Sequence, residues 1–570
     1  MARACLAGIL LLAIYTAQAL LPAEIREIQE SNAWINPKKF LLTKFHSDRN
    51  DESQPAESVS ISTSGKLTGG DTGSLTVTPT IVSSDTEWIT VSWSNISYTG
   101  KYDWIGLFNA SAGAESYAAP PLKFQYVCPA VDHCYYAPAS GSLKFKVLNR
   151  RTDYIFAYIT ESNPYREIKG VSSVVTYNEK DLYMPMNVHI AAPMSSSSAA
   201  TANCGKTASC MQIMWVQKAV SSPMLKYGVS ANDLNKVVSV VNVSKLSPED
   251  LCDQQYGLPA GTTGYFDTGY MITVSLLELT PNTQYFYQVG EDAYGWTQTF
   301  NFSAPPKYGE MTPRDDIKLI IFGDLGNVAI DYSMHHSWDF GNQGEIYSIN
   351  TTHSINLFTN GSKDVTDALI HIGDISYAVG FMSEWDDFFH QIEPVSAHIP
   401  WMTGMGNHEY SWTGEWKPPS VDVSTDAYGN ADGGGECGVP YNFYFPFANN
   451  NEQESRANVY DPTVVEPWYV FDYGMVRSII MSTEHDFGVD SKQYQFIENV
   501  FKTTDRTLFP WIFIAGHRPM YANDDWDGDT TTSEYLRETL EDMMYANKVA
   551  LGFWGHQHSY GRTCSVYQGE

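Results

Sequence analysis

Five short stretches in the C-terminal half repeat one local grammar: an apolar run ends in glycine, and a residue able to hold a metal follows. Ile317 to Gly323 leads to Asp324, and Ala368 to Gly373 leads to Asp374. Pro400 to Gly406 leads to Asn407 and His408, and Trp511 to Gly516 leads to His517. Ala550 to Gly555 leads to His556, with His558 two positions on. Carboxylate, amide and imidazole donors in this mixture suit hard or borderline divalent and trivalent cations, not soft thiolate-bound metals. There are too many donors for one tetrahedral ion and about enough for two ions sharing a carboxylate, the arrangement used in phosphate-ester hydrolysis. A single Gly-Asp is a common turn dipeptide, and a lone histidine is usually a hydrogen-bonded structural residue. The ordered set of blocks carries the inference.

Donors scattered from position 324 to position 558 meet only if several strands end at one edge. An open α/β sheet provides that edge at the carboxyl ends of its strands. Glycine before the donor permits a sharp turn and close backbone approach. From Ile317 onward, short continuous apolar runs alternate with helical stretches such as Ser491 to Phe501 and Thr532 to Asn547. That pattern predicts buried strands covered by helices over 314–570. Upstream, residues 76–180 alternate apolar and polar in short runs (Trp88 to Trp93, Leu143 to Val147, Asp153 to Tyr158), which predicts a β-sandwich. A second β-rich stretch over 181–304 carries Gln212 to Val216 and Tyr285 to Val289; its Leu279-to-Tyr287 turn-to-strand step resembles a fibronectin type III domain. Pro305, Pro306 and Pro313 mark the linker that follows.

The 570 residues suggest about two to four domains. A net charge of −30 argues against binding duplex nucleic acid, which needs a basic face, so a phosphate-bearing substrate must be held by a local positive centre. Residues 1–19 read as a signal peptide: Arg3, an apolar stretch from Ala4 to Tyr15, and the small-residue pattern Ala17-Gln18-Ala19. The stretch is shorter than the roughly 18 to 20 apolar residues a membrane span needs, and no later segment meets that length. Residues 20–75 form a polar leader. Sequons at Asn95, Asn109, Asn242, Asn301, Asn350 and Asn360 point to a secreted glycoprotein, with the cell wall and vacuole as destinations open to it. Cysteines left after Cys5 departs with the signal suit an oxidising compartment; Cys128/Cys134 and Cys204/Cys210 would close short loops, while Cys252, Cys437 and Cys564 leave the count odd.

The blocks Gly323-Asp324-x-Gly326, Gly373-Asp374-x-x-Tyr377, Gly406-Asn407-His408-Glu409, Gly516-His517 and Gly555-His556-x-His558 resemble the five-part signature of the metallophosphatase superfamily. Tyr377 in the second block resembles the mark of the purple acid phosphatases. Residues 102–147 look like the extra N-terminal β-domain of the long, plant-type enzymes, and 182–303 like their fibronectin-like domain. The resemblance implies N-terminal β-sandwich domains followed by an α/β metallophosphatase domain, a layered β-sandwich flanked by helices. It implies a dinuclear centre: Asp324, Tyr377 and His558 on a ferric ion (Fe3+), Asn407, His517 and His556 on a divalent ion (Fe2+, Zn2+ or Mn2+), and Asp374 bridging. A metal hydroxide would attack phosphorus in line. His408 would face the phosphate, as a donor to it or as the acid for the leaving group, with Glu409 orienting His408.

The chain departs from the resemblance in two places. Plant-type enzymes often carry a histidine pair shortly after the His517 block; here Tyr521 to Asp529 is an acidic loop without histidine. His485 is a candidate substitute acid, with a structural histidine as the alternative, and the acidic loop is expected to disfavour highly charged substrates. The sequence also stops soon after His558, where the family usually continues with further strands, so the catalytic domain reads as truncated. The expected function is a secreted acid phosphatase acting on small phosphomonoesters. The alternatives are a phosphodiesterase or nucleotide pyrophosphatase using the same centre, and a non-catalytic metal-binding surface glycoprotein. The oligomeric state is left open.

Overall fold

A computed structural model of the chain describes residues 73–570 except 85, 98, 112–119, 129–135, 163–164, 193–203, 241, 252–258, 332, 336–346, 361–365, 411–415, 420–431, 449–465 and 523–528. The signal-peptide segment, nearly all of the polar leader, and 523–528 of the acidic loop lie outside the described residues.

The chain divides into two compact units. The first holds the N-terminal sandwich. Strands Ser74–Thr78, Thr86–Ser94 and Gly141–Leu148 form one antiparallel sheet; Trp104–Asn109, Lys123–Tyr126, Tyr154–Ser162 and Tyr165–Val171 form another. Period-two patterning sets the faces: in Thr86–Ser94, Ile89, Val91 and Trp93 are buried and their neighbours are not. Trp104, Phe108, Phe124, Ile155 and Ile159 pack together in its core. The domain limits read from the sequence kept 314–570 whole, but the segment Val328–Gln343 belongs to this first unit. Asp331 Oδ2 lies 2.8 Å from Lys123 Nζ, both side chains buried. Phe124 and Met334 exchange backbone hydrogen bonds in both directions.

The second unit comprises Tyr183–Asn327 and Gly344–Glu570. Its first part is a two-sheet sandwich: Met186–Ala191, Ser209–Gln217, Tyr270–Leu279 and Asn242–Lys245 in one sheet, with strands around Met224–Gly228 and Gln284–Glu291 in the other. Val188, Ile213, Trp215, Val274, Tyr287 and Phe300 are among its core residues. This sandwich grips the Met382–Ser396 helix. Asn187 Nδ2 donates to Asp386 at 3.0 Å, Val188 N to Glu393 at 2.8 Å, and Tyr287 OH to the Ala397 carbonyl at 2.7 Å. Asp386 and Glu393 of the helix thereby each meet a donor from the sandwich, which offsets the cost of taking their carboxylates out of water.

The rest of the unit contains two sheets. Strands β1 (Leu319–Phe322), β2 (Ala368–Ile372) and β3 (Trp401–Gly404) are parallel neighbours. Strands β4 (Tyr469–Tyr473), β5 (Val476–Ile480), β6 (Trp511–Gly516) and β7 (Leu551–Trp554) form the other, antiparallel for β4–β5 and parallel thereafter. β2 is buried along its whole length, as a run apolar at every position but His371 predicts. Phe388 of the Met382–Ser396 helix meets His371 of β2. On the second sheet, Ile479, Ile512 and Ile514 pack against Ile497 and Phe501 of the Lys492–Thr503 helix. That helix starts where the sequence places it: Ser491 caps it by accepting the Tyr494 backbone N–H at 3.0 Å. The other expected helix, Thr532 to Asn547, is realised as Asp529–Leu536, a π turn at Arg537–Glu541, and Asp542–Ala546.

Cys204 and Cys210 form a disulfide, and Cys128 is also disulfide-bonded. Among the described residues, no helix is long and apolar enough to cross a membrane.

Candidate metal centre

The five strand ends meet. β1, β2 and β3 deliver Asp324, Asp374 and Asn407; β6 and β7 deliver His517 and His556 from the facing sheet. Ligand atoms of Asp374, His517 and His556 lie within 4.8 Å of one another, and so do those of Asp324, Asp374 and His558. The two trios share Asp374. Tyr377 joins the second of these trios: its hydroxyl is 2.7 Å from His558 Nε2, 3.1 Å from Asp374 Oδ2 and 3.4 Å from Asp324 Oδ1. Asn407 joins the other, with Oδ1 3.0 Å from His517 Nε2.

The glycines act mainly by leaving room. A Cβ on Gly406 would come within 2.2 Å of Asp374 Oδ1, one on Gly373 within 2.5 Å of His517 Nδ1, and one on Gly555 within 2.7 Å of Asp324 Oδ2. The left-handed backbone falls on the donors themselves: φ is 58° at Asp324, 49° at Asp374, 54° at Tyr377 and 69° at His556. Each such residue costs about 1–3 kcal/mol, and residues of this kind cluster at functional sites because the surrounding structure over-determines them. Here the over-determination consists of backbone bonds between blocks. Asp324 N donates to Gly373 O, Gly326 N to Ile375 O, and Gly555 N to His517 O. His556 N donates to both Asp324 carboxylate oxygens, at 3.2 and 3.0 Å.

The donor set fits a pair of cations. Burial pulls the His517 imidazole down, but the Asp374 carboxylate beside it wins and raises it to about 10. Burial pushes Asp374 up, and His517, His408 and His556 together hold it well below the usual carboxylate range. Surroundings that retain a proton so strongly at a buried site also favour a metal ion in its place, and the two compete. Carboxylates, imidazoles, an amide oxygen and a phenol are the hard and borderline donors that iron, zinc and manganese accept.

The remaining site residues sort differently from expectation. His408 is at the centre's margin, its Nε2 3.8 Å from Asp374 Oδ2, its side chain 12% exposed and its ring 4.5 Å from that of Tyr377. Glu409 was expected to orient His408. Its carboxylate instead accepts three backbone N–H groups: Asp374 at 2.9 Å, Ile375 at 2.7 Å and Gly406 at 3.0 Å. It sits on the helical turn Asn407–Tyr410, whose tight geometry folds the side chain back under the loop. Burial and the Asp374 charge raise the Glu409 carboxyl to about 8, with the N–H donors opposing. His485 is buried against the Tyr410 ring at 4.1 Å and pairs with Ser482 Oγ at 2.9 Å, and burial lowers it to about 3. That is the environment of a neutral packed histidine, and none of its described hydrogen bonds reaches the metal donors.

Sequence reasoning passed over Asp432, which accepts Asn407 Nδ2 at 3.0 Å, and the fully buried Glu484–Arg518 pair beside His517, at 3.0 Å. The glycine run 433–435 after Asp432 was the only local signal for the former. The pair had none, because its members lie on separate loops, after β5 and after β6.

Comparison with known proteins agrees with this architecture. A family model described as calcineurin-like phosphoesterase matches residues 317–560, and one described as the purple acid phosphatase N-terminal domain matches residues 198–304. The Arabidopsis thaliana protein named "Probable inactive purple acid phosphatase 27" is 31% identical over 522 residues, covering 87% of this chain and 76% of its own length. A Hordeum vulgare protein named "Nucleotide pyrophosphatase/phosphodiesterase" is 35% identical over 280 residues, covering 48% of this chain and 67% of its own. The solved structure of purple acid phosphatase PPD1 from yellow lupin (Lupinus luteus) seeds superposes with a TM-score of 0.69 at 28% identity, covering 88% of this chain and 82% of that one.

Proposed function

This chain belongs to the purple acid phosphatase family, and on that premise we propose that it is a secreted acid phosphatase that hydrolyses small phosphomonoesters at a dinuclear metal centre. The observation that carries the reading is the sharing of Asp374 by two donor trios whose ligand atoms each lie within 4.8 Å of one another. Asp324, Tyr377 and His558 would hold a ferric ion, Asn407, His517 and His556 a divalent ion (Fe2+, Zn2+ or Mn2+), and Asp374 would bridge. When bound, such ions polarise phosphoryl oxygens and supply an activated water as nucleophile.

The chain's own residues do the remainder. Tyr377 would supply a phenolate oxygen if a ferric ion displaced its proton, the hard donor such an ion favours. His408, partly exposed beside Asp374, is the group placed to donate to a phosphate oxygen or to protonate the departing alkoxide. Glu409 holds the Asp374 and Gly406 loops at fixed separation. With both cations bound, the centre would be a locally positive spot able to attract phosphate within a chain of net charge −30. Secretion rests on residues 1–19 and on the sequons, of which Asn95 and Asn242 have exposed side chains.

Two comparisons favour rival readings. The barley relative's name favours diester or pyrophosphate cleavage at the same centre, and the Arabidopsis relative's name favours a protein that keeps the fold without turnover. Metal analysis combined with p-nitrophenyl phosphate and bis(p-nitrophenyl) phosphate turnover at pH 5 separates the three. Two ions with faster monoester cleavage support the proposal. Faster diester cleavage favours the second reading, and two ions without turnover the third.

A further inference from the structure

Asn407 is the one candidate ligand whose two side-chain ends differ in kind: the oxygen can bind a cation and the NH2 cannot. What meets the other end therefore decides whether the residue can serve. Nδ2 of Asn407 donates to Asp432 Oδ2 at 3.0 Å, while Oδ1 stands 3.0 Å from His517 Nε2. Both Asn407 and Asp432 are buried. The Asp432 oxygen accepts that hydrogen bond, so the NH2 end of Asn407 faces it and the amide oxygen is left toward His517.

Asp432 is itself held by the glycine run that follows it. Gly434 and Gly435 take φ of 58° and 89°. A Cβ on Gly434 would meet Val379 O at 2.1 Å, so the run lies flush on the loop just beyond Tyr377. Ala260 N donates to Gly434 O at 3.1 Å, and Gly438 N donates to Glu409 O at 2.7 Å. The last bond ties the chain three residues beyond the run to the turn that carries Asn407.

We propose that Asp432 is a positioning residue for the divalent position: it orients the Asn407 amide so that the carbonyl oxygen, not the NH2, faces the ion. This rests on the reading of Asn407 as a ligand. Ligand-orienting partners of this kind are typically worth about 10–100-fold in metal affinity. The carboxylate acts here through direction, because an asparagine at position 432 could still accept the same hydrogen bond through its own oxygen.

The test is calorimetric titration of the chelator-stripped full chain with Zn2+ and with Mn2+, comparing wild type, Asp432→Asn and Asp432→Leu, with thermal melting of each metal-free protein. Expected is a loss of about 10–100-fold at one of two sites in Asp432→Leu, the other site retained, and affinity within about threefold of wild type in Asp432→Asn. Equal weakening in both variants would mean that charge, not orientation, matters and overturns the proposal. Two undiminished sites in Asp432→Leu overturn it as well, as does loss of both sites together with a collapsed melting transition while Asp432→Asn behaves the same. Fewer than two ions on the wild-type chain would overturn the ligand reading of Asn407, and the inference falls with it.

Discussion

The backbone N–H of Asp374 donates to Oε2 of Glu409 at 2.9 Å, and the same oxygen accepts Gly406 N at 3.0 Å, so one carboxylate holds two of the loops that carry candidate donors together. Removing it leaves buried N–H groups of Asp374, Ile375 and Gly406 without their acceptor. Glu409→Ala should lower the unfolding free energy of the metal-free protein by about 2–4 kcal/mol, since each buried donor left unsatisfied costs about 1–3 kcal/mol and relaxation recovers part. Urea unfolding measures this. A loss under about 0.5 kcal/mol, the range of an ordinary surface change, would refute the assigned role.

Asn407→Ala should abolish binding of one divalent ion and nearly all turnover, because the Glu409 carboxylate on the same turn is engaged by backbone N–H groups and does not replace the amide oxygen. Metal content after gel filtration, read beside p-nitrophenyl phosphate hydrolysis, checks both. Retained activity refutes the ligand assignment.

Tyr377→Phe removes the hydroxyl that lies 2.7 Å from His558 Nε2. If that oxygen binds ferric iron, the variant loses the visible phenolate-to-iron absorption band while its far-ultraviolet circular dichroism stays unchanged. A wild-type protein loaded with iron and colourless would refute the assignment at once.

His189 shapes the acid stability of the second unit. Both ring nitrogens meet backbone carbonyls, Asn187 O at 2.8 Å and Tyr444 O at 2.7 Å, yet burial outweighs these bonds and lowers the imidazole to about 4. A depressed folded-state value means that the unfolded chain binds the proton first. Stability contributed by neutral His189 is therefore whole above about pH 6.5 and is lost as pH falls toward 4, by about 3 kcal/mol in all. His189→Gln should flatten the dependence of the urea midpoint on pH between 6.5 and 4 by close to one proton. An unchanged slope would show that another group governs it.

In the N-terminal unit, Lys123→Met leaves Asp331 buried without its cation. The expected loss is about 3–5 kcal/mol, read as a lowered melting temperature, with much of it recovered in the double variant Lys123→Met/Asp331→Leu. No recovery in the double variant would count against the pair as the cause.

The candidate donors that converge were legible from residue type and spacing because each block is local: a strand, a glycine and a donor lie within a few positions, and the chain carries them wherever the strand goes. The sandwiches were legible for the same reason, since alternation is a property of neighbouring residues. Glu409 was read as the partner of His408 because the two are adjacent in sequence; in the fold, the turn directs its carboxylate to Asp374, Ile375 and Gly406. His485, chosen for its place after β5, lies instead against Tyr410. The left-handed backbone at Asp324, Asp374, Tyr377 and His556 is only weakly signalled by residue type, since Asp and His visit it more readily than most but inter-loop hydrogen bonds decide where it occurs. Asp432 under Asn407, and the passage of Asp331 to a buried lysine more than two hundred positions upstream, likewise depend on which distant groups share a space. Local pattern records what a segment can offer; only packing determines which donor each acceptor meets, because burial makes every unmet polar group costly and so selects one arrangement among many compatible with the same pattern.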